Sequence, residues 1–163
     1  MYKFISKDVK SDAVAFSWFN AKTSYFKALF VYVFVTVAAC VSIFSDIKDW
    51  KNIILVALIV LGGLVFVLSY NLIRKAPLKN NYINKTKEIR ITFDENKVSS
   101  ETIYDDGEAK GECEYKRFVK IREDKNRIYC YLEANSALIL NKKSVDDINA
   151  FRVFLKGKVN RGV

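Results

Sequence analysis

The chain has 163 residues, with 27 Lys and Arg against 18 Asp and Glu, and no histidine. The basic excess is not gathered into the single stripe of a nucleic-acid binder: nine basic residues face four acidic ones before Ala76, and eighteen face fourteen from there on. The absence of histidine, and Cys40, Cys113 and Cys130 at no ligand-like spacing, argue against the usual zinc and haem sites, and no cofactor is expected.

A mean hydropathy of +0.03 averages a very apolar half with a charged one. The first stretch, residues 1–27, reads as an amphipathic N-terminal segment at a membrane interface. Phe16, Phe19, Phe26 and Phe30 recur at helical spacing, with Asn20, Lys22 and Lys27 among the polar residues between them. That stripe describes either a helix lying in the interface or a first span that extends out of the lipid. The segment is too long and too charged for a secretory signal and lacks an A-x-A-like cleavage site, so the apolar run behind it reads as a retained anchor.

Residues 28–75 form the expected membrane hairpin. Two uncharged apolar stretches, 28–44 and 53–73, are each long enough to span lipid as helices, and a short loop from Ser45 to Asn52 joins them. Cations flank the outer ends: Lys10, Lys22 and Lys27 before the first span, and Arg74, Lys75, Lys79, Lys85 and Lys87 after the second. In the loop, Lys48 and Lys51 are offset by Asp46 and Asp49. The bias places both termini in the cytoplasm, at a bacterial inner membrane. Trp18, Tyr25 and Phe26 mark one interface, Trp50 the other, and Tyr70 the return. Ala38, Ala39, Gly62 and Gly63 are small residues expected at one depth, where they would let the helices, or two copies of the chain, approach closely. Thr36, Ser42, Ser69 and Asn71 are the polar residues of the spans, and none ionises, which argues against transport or proton relay by one copy.

Residues 76–87 are a basic juxtamembrane linker, and 88–163 a cytoplasmic α+β domain. Apolar alternation predicts a strand through Ile89, Ile91 and Phe93, a turn at Asp94-Glu95-Asn96, and a return strand from Val98 to Tyr104. Asp105 to Glu112, with Gly107 and Gly111, reads as an exposed loop. Three more strands follow: Tyr115 to Glu123, Arg127 to Glu133 and Ala137 to Asn141. A helix closes the chain, with Ser144 as cap, Val145, Ile148, Phe151 and Leu155 on one face, and Gly157 just past its end. Five antiparallel strands and a terminal helix outline a pleckstrin-homology-like (PH-like) sheet or barrel.

The two-span hairpin resembles that of the YcxB-like proteins of bacteria. So do Ile91-Thr92-Phe93, the strand Ile128-Tyr129-Cys130-Tyr131-Leu132, the run Ala137-Leu138-Ile139-Leu140-Asn141-Lys142-Lys143-Ser144, and Phe151 to Leu155. The resemblance implies a small membrane anchor carrying a cytoplasmic PH-like domain, and it implies architecture more than mechanism.

Candidate chemistry is sparse. Asp105, Asp106, Glu108, Glu112 and Glu114 lack the ligand alternation of an EF-hand and read as solvated loop. Lys116, Arg117, Lys120 and Arg122, with Lys125 and Arg127 following, form a candidate cationic patch for phospholipid headgroups; the same alternation also protects a strand edge. Arg74, Lys75, Lys79, Lys85 and Lys87 are candidate membrane-surface contacts, each worth about 1 kcal/mol beside an anionic leaflet, or they serve topology alone. No nucleophile constellation, phosphate-binding glycine loop or dinucleotide motif occurs, so no enzyme is expected. The expected function is that of an interaction module whose partners are membrane lipids and a protein, peptide or headgroup, with no nucleic acid. Two alternatives are a toxin-immunity protein acting by contact in the bilayer, and a lipid-responsive regulator.

Overall fold

The computed structural model describes residues 1–45 and 50–159. The chain divides into two compact units, one built from Met1–Phe16 together with Pro77 onward, the other from Ser17–Ala76. The loop charges Asp46, Lys48 and Asp49 lie outside the described residues.

In chain order the elements are β1 (Tyr2–Ser6), α1 (Val9–Ser45), α2 (Trp50–Lys75), α3 (Asn81–Lys85), β2 (Thr86–Phe93), β3 (Lys97–Tyr104), β4 (Glu108–Glu114), β5 (Lys120–Glu123), β6 (Arg127–Glu133), β7 (Ser136–Asn141) and α4 (Ile148–Val159). Short 3-10 turns occupy Ala76–Lys79, Tyr115–Arg117 and Lys142–Ser144.

The helical unit is an antiparallel pair, both of whose helices are long and apolar enough to cross a membrane. Uninterrupted apolar residues favour helix, and within this unit their flanks stay largely bare: α2 buries no residue, and Phe30 and Ile53 remain 73% and 68% exposed. The helices are joined by hydroxyls that reach across to backbone carbonyls. Ser17 Oγ donates to Ile73 O at 3.0 Å, Tyr25 Oη to Phe66 O at 3.3 Å, and Tyr32 Oη to Ile59 O. This register decides what the small residues do. Gly62 and Gly63 do not meet Ala38 and Ala39; they receive the Tyr32 ring, so close that a β-carbon on Gly62 would stand 2.6 Å from Tyr32 Cε2. Residues equidistant from the connecting turn pair in an antiparallel hairpin, and Ala38 and Ala39 lie nearer the turn than the two glycines. Ala39 is nevertheless buried, and Ala38 is exposed.

The amphipathic segment 1–27 is not one element. Tyr2–Ser6 joins a sheet, the first two turns of α1 pack within the folded unit, and the same helix runs unbroken from Val9 to Ser45, so the stripe belongs to an extended first helix. Strand β1 is recruited because Phe4 faces inward between Phe93 and Phe151, with ring centroids at 5.7 and 4.7 Å. It pairs antiparallel with β2, Tyr2 opposite Phe93 and Ser6 opposite Ile89.

Two antiparallel sheets result, β1-β2-β3-β4 and β5-β6-β7, and they do not close into a barrel. β1 runs beside β7 without a hydrogen-bonded ladder, and the Tyr115–Arg117 turn separates β4 from β5. That turn replaces the first half of the strand expected over Tyr115 to Glu123. Tyr115, Phe118 and Ile121 recur every third residue, a turn spacing; Tyr115 and Phe118 are buried, and Tyr115 Oη donates to the Asp94 carbonyl. Conversely, the stretch expected as loop contains β4, whose exposed residues carry no apolar alternation; the Lys110–Glu101 and Lys97–Glu112 ion pairs, at 3.0 and 2.7 Å, help to hold it to β3.

Between the sheets, Ile91, Phe93, Val98, Ile128, Cys130 and Leu140 form the core, and α4 covers it with Phe151 and Leu155. The cap of α4 is Asp147, whose Oδ1 accepts from the amides of Asn149 and Ala150, whereas Ser144 lies in the preceding 3-10 turn and Gly157 lies within the helix.

On the opposite face of β6, Phe16 packs against Tyr129 and Tyr131 with centroids at 5.7 and 5.6 Å. Beside them, Arg127 Nε donates to Asp12 Oδ1 at 2.6 Å, with the two side chains 15% and 6% exposed. Ser6 donates its hydroxyl to the other Asp12 oxygen, and an Arg127 amino group reaches Ser11 Oγ at 3.2 Å.

Removing one member of such a buried pair strands the other's charge, at a cost of about 3 kcal/mol. Asp12→Ala and Arg127→Ala are therefore each expected to lower stability by about that much, and the double substitution by clearly less than twice as much, in denaturant unfolding of the full chain in detergent; additive losses would contradict the coupling. In the helical unit, Gly62→Ala is expected to cost about 1–3 kcal/mol, because the Tyr32 ring is held by its hydroxyl, and Tyr32→Ala should remove most of that penalty. Equal penalties with and without the Tyr32 ring would refute the contact.

Candidate functional site

Among the described residues, no group of Cys, Asp or Glu is arranged to hold a metal ion. The cysteines are free. Burial pushes the Cys130 thiol up to about 12, which makes it a poor nucleophile at neutral pH.

A network of partly buried polar residues lies around the turn between β5 and β6. Asp124 Oδ1 accepts from the amides of Asn126 and Arg127 at 2.8 and 2.7 Å, and Oδ2 accepts from Tyr129 Oη at 2.6 Å. Burial works to raise the Asp124 carboxyl, but these donors and the Arg127 charge outweigh it and hold the group below its ordinary range. Burial, followed by the bond to Asp124, raises the Tyr129 phenol, which stays protonated as the donor. Lys142 extends the network by donating to the Asp124 carbonyl and pairing with Glu123 at 3.0 Å. Arg152 on α4 approaches the same Glu123 oxygen at 2.8 Å. Burial opposes ionisation of Glu123, yet the bonds from Arg152 and Lys142 leave its carboxyl lowered overall. Together with the Asp12–Arg127 pair, these bonds make the cluster an anchor that joins α1, the β5–β6 turn and α4.

Next to that anchor, between β5 and α4, lies a groove of about 390 Å³. Its apolar lining is Ile121, Ile128, Leu155 and Val159, and its polar lining is Arg122, Glu123, Arg152 and Lys156. β5 is the outermost strand of its sheet, so this groove runs along an open edge.

The cations singled out from the sequence are distributed differently from a single patch. Lys120 and Arg122 alternate onto one face of β5, with Lys120 Nζ 5.2 Å from the Tyr131 ring centre. Lys116 and Arg117 stand earlier, in the 3-10 turn, where Lys116 pairs with Glu114 at 2.6 Å. At the end of α2, Arg74 lies over Tyr70 and donates to its hydroxyl at 3.2 Å. Lys85 and Lys87 form exposed pairs with Asp106 and Asp105 at 3.4 and 3.1 Å, which assigns part of the acidic cluster to charge balance. Among the described residues, Lys75 and Lys79 have no ion-pair partner.

Sequence reasoning missed Arg152 and Lys156 as part of a basic surface, and missed Asp12 as the partner of Arg127. The signal for the first pair was available, since residues four apart share a helix face. No local pattern connects Asp12 with a residue so far along the chain.

The comparison with curated proteins found no match, and neither did the comparison with solved structures. The family model described as YcxB-like protein matches residues 93–155, from the last residue of β2 to the buried Leu155 of α4. The chain therefore carries a YcxB-like domain over residues 93–155, preceded by two long apolar helices.

Proposed function

We propose that this chain is a small bacterial inner-membrane protein whose folded unit is a PH-like, non-enzymatic interaction module held at the cytoplasmic surface by the helical hairpin. The observation that carries the proposal is the placement of the hairpin between two paired strands. β1 precedes it, β2 follows it, and the two are hydrogen-bonded neighbours over Tyr2–Ser6. A chain that leaves a sheet, crosses a bilayer and rejoins the same sheet must cross an even number of times, and two helices of sufficient length are available.

The bare apolar flanks of both helices support lipid as their surroundings, because a contiguous unburied surface of that size is unusual on a soluble protein. The cations after the second helix support a cytoplasmic folded unit, and Lys75 and Lys79, without acidic partners, are suited to anionic headgroups. A four-stranded sheet, a three-stranded sheet and a terminal helix, in that order, support the PH-like reading of the fold. A matched polar anchor and an unreactive thiol support binding over chemistry.

The orientation is tested with a membrane-impermeant thiol reagent on intact cells, using cysteine at Trp50, Lys3 or Lys125 in an otherwise cysteine-free chain. Labelling is expected at Trp50 alone; labelling at Lys125 from outside would overturn the topology. Crosslinking in the native membrane then identifies the partner, and a toxin among the captured proteins would select the immunity version of the same contact role. If the full chain stays monodisperse in buffer without detergent, the membrane reading fails altogether.

A further inference from the structure

We infer that the groove between β5 and α4 takes an extended, acidic segment of a partner protein, added as a fourth strand to the β5-β6-β7 sheet; the inference rests on the interaction-module reading above. Among the described residues, β5 pairs with β6 on one side only. In an antiparallel ladder the residues of an edge strand alternately aim their N–H and C=O groups inward and outward, so β5 offers backbone donors and acceptors to an added strand.

The sheet edges differ in what stands beside them. β1 and β7 are edges that run beside each other; β4 is the remaining edge of the other sheet, but nearly all of its residues are exposed and Lys110 and Glu112 are tied into cross-strand ion pairs, the usual protection of a free edge. β5 instead has an apolar wall. Ile121 and Ile128 from the sheet and Leu155 and Val159 from α4 line the space that the side chains of an added strand would enter. The groove volume of about 390 Å³ accommodates a few side chains, consistent with pairing along the four residues of β5.

Charge selects the occupant. Among the described residues Glu123 is the only acid in the lining, and Lys142 and Arg152 already engage its carboxylate. Arg122 and Lys156 are exposed and, among the described residues, have no ion-pair partner; Lys120 precedes Arg122 on the same strand face. An extended segment alternating acidic with apolar residues would direct its carboxylates to Lys120 and Arg122 on one sheet face and its apolar side chains to the Ile121, Leu155 and Val159 wall on the other, with Lys156 beside that wall adding a further positive charge. A lipid headgroup could use the cations but would leave the outward backbone groups of β5 without partners.

The test is selection of a displayed random-peptide library on the full-length protein in detergent micelles. The expected consensus alternates acidic with apolar residues, and binding of a consensus peptide is expected to weaken about tenfold in the Arg122→Glu, Lys156→Glu double variant, with Lys116→Glu as the unaffected control. Amide hydrogen exchange in β5 should slow when the peptide binds. A consensus without acidic residues, affinity unchanged by the double variant, or displacement of the peptide by anionic phospholipid vesicles would each overturn the proposal. Photo-crosslinkers at Lys156 and Lys110 in the native membrane separate this from the broader reading. Capture at Lys110 alone would remove the groove and leave the module, whereas capture at neither would count against both.

Discussion

Everything in this protein depends on the pairing of β1 with β2. The two strands are separated in sequence by the whole helical hairpin, and they meet through residues 2–6 against 89–93. Bringing together segments so far apart carries a loop-closure cost that grows only slowly with length, and the hairpin shortens the effective loop by packing its own helices. The return comes from burial: Phe4 is 2% exposed and sits among Phe93 and Phe151, and a side chain of that size contributes roughly 1.5–3 kcal/mol when taken out of water. A helical hairpin inserted into a strand connection is tolerated because β-sheet formation constrains only where the flanking strands meet.

The Asp12–Arg127 pair reinforces this arrangement by a different kind of force. Hydrophobic burial is indifferent to precise alignment, whereas a carboxylate that accepts from both Arg127 and Ser6 holds the first turns of α1 in one register on β6. Such a pair adds little net stability compared with an apolar replacement, so its value lies in specifying position. The second cluster, around Asp124 and Glu123, performs the same task for the β5–β6 turn and the face of α4, through Tyr129, Lys142 and Arg152. Neither cluster involves the outer side of β5, and there, among the described residues, Arg122 and Lys156 have no ion-pair partner.

The hairpin shows how an apolar sequence still specifies its packing. The two helices bury little against each other, and the contact is made by close approach and by hydroxyls that donate to backbone carbonyls, the kind of packing that would suit helices in lipid. The three donors Ser17, Tyr25 and Tyr32 are spaced along one side of α1, and Gly62 and Gly63 supply the room that the last of them needs.

Local pattern by itself determined the two apolar helices, the strands through Ile91, Val98, Ile128 and Leu140, the inward face of α4, and the YcxB-like character of the second half, because period and composition are properties of neighbouring residues. The tertiary structure alone decided the rest. β1 is too short and β4 too polar to announce themselves; each exists because a partner strand offers its edge. Tyr115–Arg117 is a turn because Tyr115 has a distant carbonyl to reach. Gly62 faces Tyr32, and Asp12 faces Arg127, because register and chain return place them there. Pairings of that kind join residues with no shared local pattern, so only the folded chain brings them into view.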